Sequence, residues 1–406
     1  MKKQAMKYIV FVPDGMADYP LEELGNRTPL EVARTPNMDF LAQNGKIGTA
    51  SFVPKGMTPG SDVANLAIFG YDPEKYFSGR APLEAINLGV ELGEKDIAFR
   101  CNFITEENGL LIDYSAGHIS TKEAQVLIKV LNRRIPDKTI RFYPGVSYRH
   151  LMVINDASEE LLKLKCYPPH DIMGKKIADC LPQGKACTEI LGIMQQSKDI
   201  LNEHEINLVR IDLKENPANM IWLWGQGKKI VLPSFRKKYG VSGSVISAVD
   251  LIKGIGRAIG LTPIDVPGAT GYYDTDYEAK ARYALDSLKR NDFVFIHVEA
   301  PDEAGHNGDV RAKIAAIENF DRLVIGTVLN TYNVGIDPLR ILLMPDHPTP
   351  ISLRTHTADP VCFLIFGTGI AKDEFIWYNE NEAKKSRLVF SNGYELMDCF
   401  IKQQNL

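Results

Sequence analysis

The chain has 406 residues, 45% of them hydrophobic and 24% charged, which exceeds one ordinary core and predicts a globular protein of two domains. A formal net charge of −4, with no run of lysine or arginine, excludes a general nucleic-acid binder. No stretch approaches the ~18 apolar residues of a membrane span, so no membrane partner is expected.

In chain order, a strand is predicted at Tyr8 to Val12, followed by a loop and a helix and then a short strand near Ile47 to Phe52. A helix from about Ser61 to Phe69 and a strand at Asp96 to Ile104 complete the first third. The middle carries helices near Thr121 to Leu131 and Thr188 to Glu203, with strands at Thr139 to Phe142, His150 to Ile154 and Asn219 to Trp224. In the last third, strand Phe293 to Val298, a long helix from about Val310 to Asn330, and strands Leu339 to Met344 and Val361 to Phe366 restore the alternation. Strands separated by helices of ten or more residues imply a mostly parallel sheet sandwiched by helices, an α/β class. The expected division is a core domain of residues 1–111 and 261–406, with a second, smaller α/β domain inserted at 112–260.

The six cysteines show no C-x-x-C spacing and read as buried free thiols of a reducing compartment. The apolar run from Tyr8 is too short for a secretory signal. The expected location is cytoplasmic.

Three apolar runs stop at Pro-Asp: Tyr8 to Val12 before Pro13-Asp14, Phe293 to Glu299 before Ala300-Pro301-Asp302, and Ile341 to Met344 before Pro345-Asp346. Proline cannot extend a ladder, so each carboxylate sits just past a strand end. In an open parallel sheet that edge is where ligands bind. His306 lies four residues after Asp302, His347 follows Asp346, and His356 comes nine residues later. Carboxylates with imidazoles point to a divalent-metal centre of Mn²⁺ or Zn²⁺ type, with Mg²⁺ as a further candidate. Gly305 is expected to give backbone freedom beside His306. His297, inside a buried strand, reads as a satisfied core histidine, and Trp222 and Trp224 as core or interface residues. Ser61 follows Pro59-Gly60 and opens a helix. That is the position of an ordinary N-cap, and also one where amides and the helix dipole hold phosphate. Beside two metals it reads as a nucleophile.

Val12-Pro13-Asp14-Gly15-Met16, Pro59-Gly60-Ser61-Asp62-Val63-Ala64-Asn65, Pro301-Asp302-Glu303-Ala304-Gly305-His306 and Pro345-Asp346-His347 resemble the alkaline-phosphatase superfamily. Within it they are most similar to the archaeal-type branch of the cofactor-independent phosphoglycerate mutases. Gly79 to Glu84, Tyr143 to Arg149 and Pro168 to Ile172 extend the likeness through nearly the whole chain. The resemblance implies an alkaline-phosphatase-like core and two divalent ions, Mn²⁺ first and Mg²⁺, Zn²⁺ or Co²⁺ as alternatives. One ion would be held by Asp302, His306 and His356, the other by Asp14, Ser61, Asp346 and His347. It further implies interconversion of 3- and 2-phosphoglycerate through a phosphoserine at Ser61, with no 2,3-bisphosphoglycerate. Asn65, His118, Arg149 and Lys175 are the expected contacts to a small phosphorylated substrate, and Asp171 is the expected general base. The branch commonly carries arginine where His118 stands, so that contact departs from its pattern. The alternatives are a homoserine kinase-like phosphotransferase, suggested by Asp113 to His118, and a metal-dependent phosphatase or phosphodiesterase. Monomer and homo-oligomer both stay open.

Overall fold

The computed structural model describes residues 5–135, 137–332 and 337–402. The chain divides into two compact units, Met1–Phe77 with Leu232–Leu406, and Ser78–Val231. Along the chain, strands β1 (Lys7–Pro13) and β2 (Gly45–Ala50) precede β3 (Ile97–Glu107), β4 (Leu110–Asp113), β5 (Ile140–Tyr143), β6 (Arg149–Ile154) and β7 (Met220–Lys228). They are followed by β8 (Gly243–Ile246), β9 (Thr262–Ile264), β10 (Phe293–Val298), β11 (Leu339–Leu343), β12 (Val361–Gly367) and β13 (Val389–Phe390).

In the first unit, the described strands form one sheet in the order β13-β2-β12-β11-β1-β10-β8-β9. β11, β1, β10, β8 and β9 run parallel, and β12 pairs antiparallel with both β11 and β2. This is the mostly parallel α/β sheet expected. The central strands are apolar on both faces because both faces are covered. Ile9, Phe11, Val294, Ile296, Ile341 and Leu343 pack into one cluster, while their alternating neighbours Val10, Phe295 and Leu342 are equally buried. The region expected as one helix from Val310 is helical over Val310–Asn319 and Gly326–Leu329, with a π-helical stretch at Phe320–Ile325 between them. Among the described residues, no helix is long and apolar enough to cross a membrane.

The second unit has an antiparallel sheet in which β3 lies between β6 and β7. Period-two alternation sends Ile97, Phe99, Cys101 and Phe103 into a core shared with the helices Thr121–Arg134 and Cys187–Asn202. Ala98 faces the other way, against Ala81 and Ala85 of the helix Arg80–Asn87. These borders differ from those expected at 112 and 260. Residues 78–111 group with the second unit and 232–260 with the first. Ile97–Glu107 alternates, with Arg100 and Asn102 on the face opposite Phe99 and Cys101, but alternation marks a strand without telling which sheet it joins. Of the cysteines, all free, four are buried, but Cys166 and Cys187 are only half-buried, which corrects the expectation for those two.

Candidate active site

β10, β1 and β11 are neighbours running in one direction. The turns after their C-terminal ends therefore deliver Asp302, Asp14 and Asp346 to the same edge of the sheet. Asp302 and His306 lie one turn apart on the helix Ala300–Asn307, which brings His306 Nε2 to 3.3 Å from Asp302 Oδ2. His356 Nε2 is 3.4 Å from Asp302 Oδ1 and 2.9 Å from His306 Nε2. His306 Nδ1 is 3.0 Å from the Arg354 carbonyl oxygen, an acceptor that keeps a proton on Nδ1 and turns Nε2 toward Asp302 and His356.

The second group is built around His347. Its Nε2 is 3.5 Å from Asp346 Oδ2, 3.6 Å from Asp14 Oδ1 and 3.2 Å from Ser61 Oγ. Ser61 is the first residue of the helix Ser61–Ile68, after Gly60. Ligand atoms of Asp302, His347 and His356 also lie within 4.8 Å of one another, so the two groups adjoin. Asn65 Nδ2 donates to Asp346 Oδ2 at 2.8 Å and to the Ser61 carbonyl at 2.9 Å. All seven residues expected as metal ligands, and Asn65, are thus brought together. Gly15 has φ +60, and a Cβ there would overlap Asp302 Oδ1 and Thr349 Oγ1. Gly305 serves a different purpose from the one expected. It is helical, and a Cβ would strike the Thr349 carbonyl, so closeness rather than freedom explains it.

Burial, together with the charges of Asp346 and Asp302, raises Asp14 well above the usual carboxylate range. Burial alone would also raise Asp302, but the His306 and His356 side chains hold it well below that range. His347 is pushed down to about 4 by burial, which keeps its ring neutral and able to coordinate. Asp14 Oδ1 is buried without a hydrogen-bond partner, and the nitrogens of His306 and His356 face each other at 2.9 Å. Both features suit positive ions between these groups, and carboxylates mixed with imidazoles suit divalent ones.

A family model described as 2,3-bisphosphoglycerate-independent phosphoglycerate mutase matches residues 42–207. A protein of that name from Methanosarcina acetivorans is 53% identical over 98% of this chain and 100% of its own length. The chain belongs to the 2,3-bisphosphoglycerate-independent phosphoglycerate mutase family. A probable mutase of the family from Geobacter sulfurreducens is 47% identical over 98% of this chain and 100% of its own. Among solved structures, a Pyrococcus horikoshii protein superposes with a TM-score of 0.82 at 31% identity, covering 98% of this chain and 97% of that one. The cofactor-independent phosphoglycerate mutase of Thermoplasma acidophilum superposes with a TM-score of 0.64 at 25% identity, covering 98% and 99%.

Within this mutase-family chain, His118, Arg149, Asp171 and Lys175 all belong to the second unit. Arg149 lies over the Tyr148 ring at 5.5 Å, and His118 is 6.2 Å from that ring. Tyr114 connects Tyr148 to His170, which in turn contacts Trp224 at 5.7 Å. Asp171 Oδ1 is 3.7 Å from His170 Nε2, and Lys175 Nζ donates to the Asp171 carbonyl at 3.1 Å. Trp222 and Trp224 are buried. Two arginines not singled out from sequence join this aromatic path. Arg100, buried and paired with Glu84 at 2.9 Å, lies 4.2 Å from the Trp224 ring, with Arg80 at 5.7 Å.

In the first unit, His297 is more than the satisfied core histidine expected from sequence, since its Nε2 is buried without a hydrogen-bond partner. It is buried, as expected, yet its Nε2 stands 3.3 Å from Asp14 Oδ2 and its Nδ1 3.2 Å from Glu299 Oε1. Burial alone would lower it, but the two carboxylates raise it to about 10. The available signal was His297-Val298-Glu299, a polar pair two apart at a strand end and hence on one face.

Proposed function

We propose that this chain interconverts 3-phosphoglycerate and 2-phosphoglycerate through a phosphoserine at Ser61, without 2,3-bisphosphoglycerate. The observation that carries the reading is Ser61 Oγ at 3.2 Å from His347 Nε2, a nitrogen flanked by Asp14 and Asp346 oxygens at 3.6 and 3.5 Å. Asp302, His306 and His356 would hold one divalent ion, and Asp14, Ser61, Asp346 and His347 the other. Mn²⁺ is the first choice, with Mg²⁺, Zn²⁺ or Co²⁺ as alternatives. Bound there, such ions lower the pKa of the serine hydroxyl and offset charge on the transferring phosphoryl group.

The remaining chemistry belongs to the side chains. Ser61 Oγ attacks phosphorus in line, the new Oγ–P bond forming as the C3 oxygen–phosphorus bond breaks. The serine proton leaves and the C3 oxygen of glycerate gains one, so the hydroxyl is regenerated. The glycerate C2 hydroxyl then attacks the phosphoserine, the C2 oxygen–phosphorus bond forming as the Oγ–P bond breaks; the hydroxyl proton goes to Asp171, the proposed base, and Ser61 Oγ regains a proton. His118, Arg149 and Lys175 are the proposed cationic contacts to the substrate. Asn65, hydrogen-bonded to Asp346, holds that carboxylate in place.

The test is turnover of 3-phosphoglycerate with Mn²⁺, coupled to enolase, without added 2,3-bisphosphoglycerate. Ser61→Ala is expected to lose at least about 1,000-fold in kcat. Acid quench of the unsubstituted protein should trap one phosphoryl group on the peptide holding Ser61. Parallel incubation with ATP and homoserine should give no phosphohomoserine. Full mutase turnover by Ser61→Ala would overturn the proposal.

A further inference from the structure

Behind Asp14 runs a row of buried charged groups that the proposed chemistry does not use. Lys280, on the helix Tyr277–Leu288, is fully buried. Its Nζ reaches Glu299 Oε2 at 3.1 Å and the His297 carbonyl at 3.2 Å. Glu299 Oε1 accepts from Ser247 Oγ at 2.9 Å and the Val249 amide at 3.2 Å, and it faces His297 Nδ1 at 3.2 Å. The row ends with His297 Nε2 at 3.3 Å from Asp14 Oδ2. That last contact has ion-pair distance but not hydrogen-bond alignment, since Nε2 counts among the buried atoms without a hydrogen-bond partner.

Burying such groups costs several kcal/mol per ion, and apolar residues of similar volume would pack a sheet as well or better. Packing therefore does not explain the row. Its geometry does: His297 occupies the Oδ2 side of Asp14, while Oδ1 is left without a hydrogen-bond donor, 3.6 Å from His347 Nε2. We infer that His297 is a positioning residue, which engages Asp14 Oδ2 so that the carboxylate offers a cation Oδ1 alone, while Lys280 and Glu299 fix the imidazole. The inference rests on the reading of Asp14 as a ligand. Groups of this kind, one shell behind a ligand, change metal affinity by about 10–100-fold when removed.

The test is titration of the metal-free full chain with Mn²⁺ alone, followed by calorimetry and by the electron paramagnetic resonance of the bound ion. Asp14→Ala, Asp302→Ala, His297→Phe, His297→Gln and Glu299→Gln are compared. His297→Phe should weaken only the ion lost in Asp14→Ala, by about 10–100-fold, leaving the ion lost in Asp302→Ala unchanged. His297→Gln, which keeps an N–H donor, should recover most of that affinity. Glu299→Gln, which preserves volume, should give a smaller loss at the same ion and carries the test if His297→Phe does not fold. Unchanged affinity in both His297→Phe and Glu299→Gln, equal weakening of both ions, or a Gln variant as weak as Phe would overturn the inference. Asp14→Ala binding both ions would instead overturn the ligand reading beneath it.

Discussion

Replacing Lys313 with methionine is expected to cost the first unit about 3–5 kcal/mol. Lys313, on the helix Val310–Asn319, is fully buried. Its Nζ donates to Asp18 Oδ2 at 2.7 Å, to the Thr349 carbonyl at 2.8 Å and to the Ala17 carbonyl at 3.4 Å. Methionine keeps nearly the same stem, so the loss is electrical rather than steric. It strands the Asp18 carboxylate, which retains only the Ile351 and Tyr19 amides as donors among the described residues. Against a total stability of about 5–15 kcal/mol, this is a large fraction, and in a unit of this size it lowers Tm by roughly 10 °C. The same lysine ties the loop after Asp14 to the loop after Asp346. Thr349 also donates its hydroxyl to Asp302 Oδ1, so kcat is expected to fall as well.

The assay is a double-mutant cycle by urea unfolding with Asp18→Asn, Lys313→Met and the pair. Removing both charges is expected to recover at least about 1 kcal/mol relative to the sum of the single changes. Lys313→Met within about 1 kcal/mol of the unsubstituted protein, or singles that add within about 0.5 kcal/mol, would refute the reasoning.

Gly15→Ala is expected to leave the chain folded but to lower kcat/KM about 100-fold, because the added Cβ displaces Asp302 and Thr349 and small misplacements near a reacting centre cost that much; metal content and kcat/KM check it together. In the second unit, His150 is buried, with its Nδ1 accepting from the Gly145 amide at 3.0 Å, and burial lowers it to about 3. The unfolded chain therefore takes up a proton first as pH falls below about 6.5. Stability is lost by about 1.4 kcal/mol per pH unit from there toward about 3. His150→Gln, which keeps an acceptor but does not titrate, should flatten the slope between pH 6.5 and 5 in unfolding followed by tryptophan fluorescence, and an unchanged slope would count against it.

The edge of the sheet that carries the three aspartates was legible because the rule that exposes it is local. A proline ends a β-ladder, and an acid just beyond it must lie at the strand end, which is where Asp14, Asp302 and Asp346 are found. The helical spacing of Asp302 and His306 was legible for the same reason. What stayed hidden depends on partners far along the chain. Lys280 and Lys313 look like solvated helix lysines, and only folding brings Lys313 to Asp18, 295 residues away. His297 was readable as buried, but its partner Asp14 lies just past the end of a neighbouring strand. The unit borders differ at Ile97–Glu107, whose alternation marks a strand but not the sheet it joins. Gly305 was misread because a tight approach to Thr349 leaves no mark on the local sequence.

The distribution of charge explains why the centre is made in this way. Among the described residues of the first unit, the two fully buried lysines are matched to acids outside the ligand groups, Lys280 to Glu299 and Lys313 to Asp18. Asp14, Asp302 and Asp346 form ion pairs only with histidines among the described residues. The protein's own permanent cations therefore hold the scaffold, and the three inner carboxylates remain uncompensated by lysine or arginine. On the two-ion reading, four positive charges meet these three negative ones and leave a small positive excess at Ser61, the sign needed to receive an anionic phosphoryl group. A lysine placed among the three aspartates would offset part of their charge without ions, and would thereby weaken both the affinity for cations and the positive charge that draws phosphate to the serine.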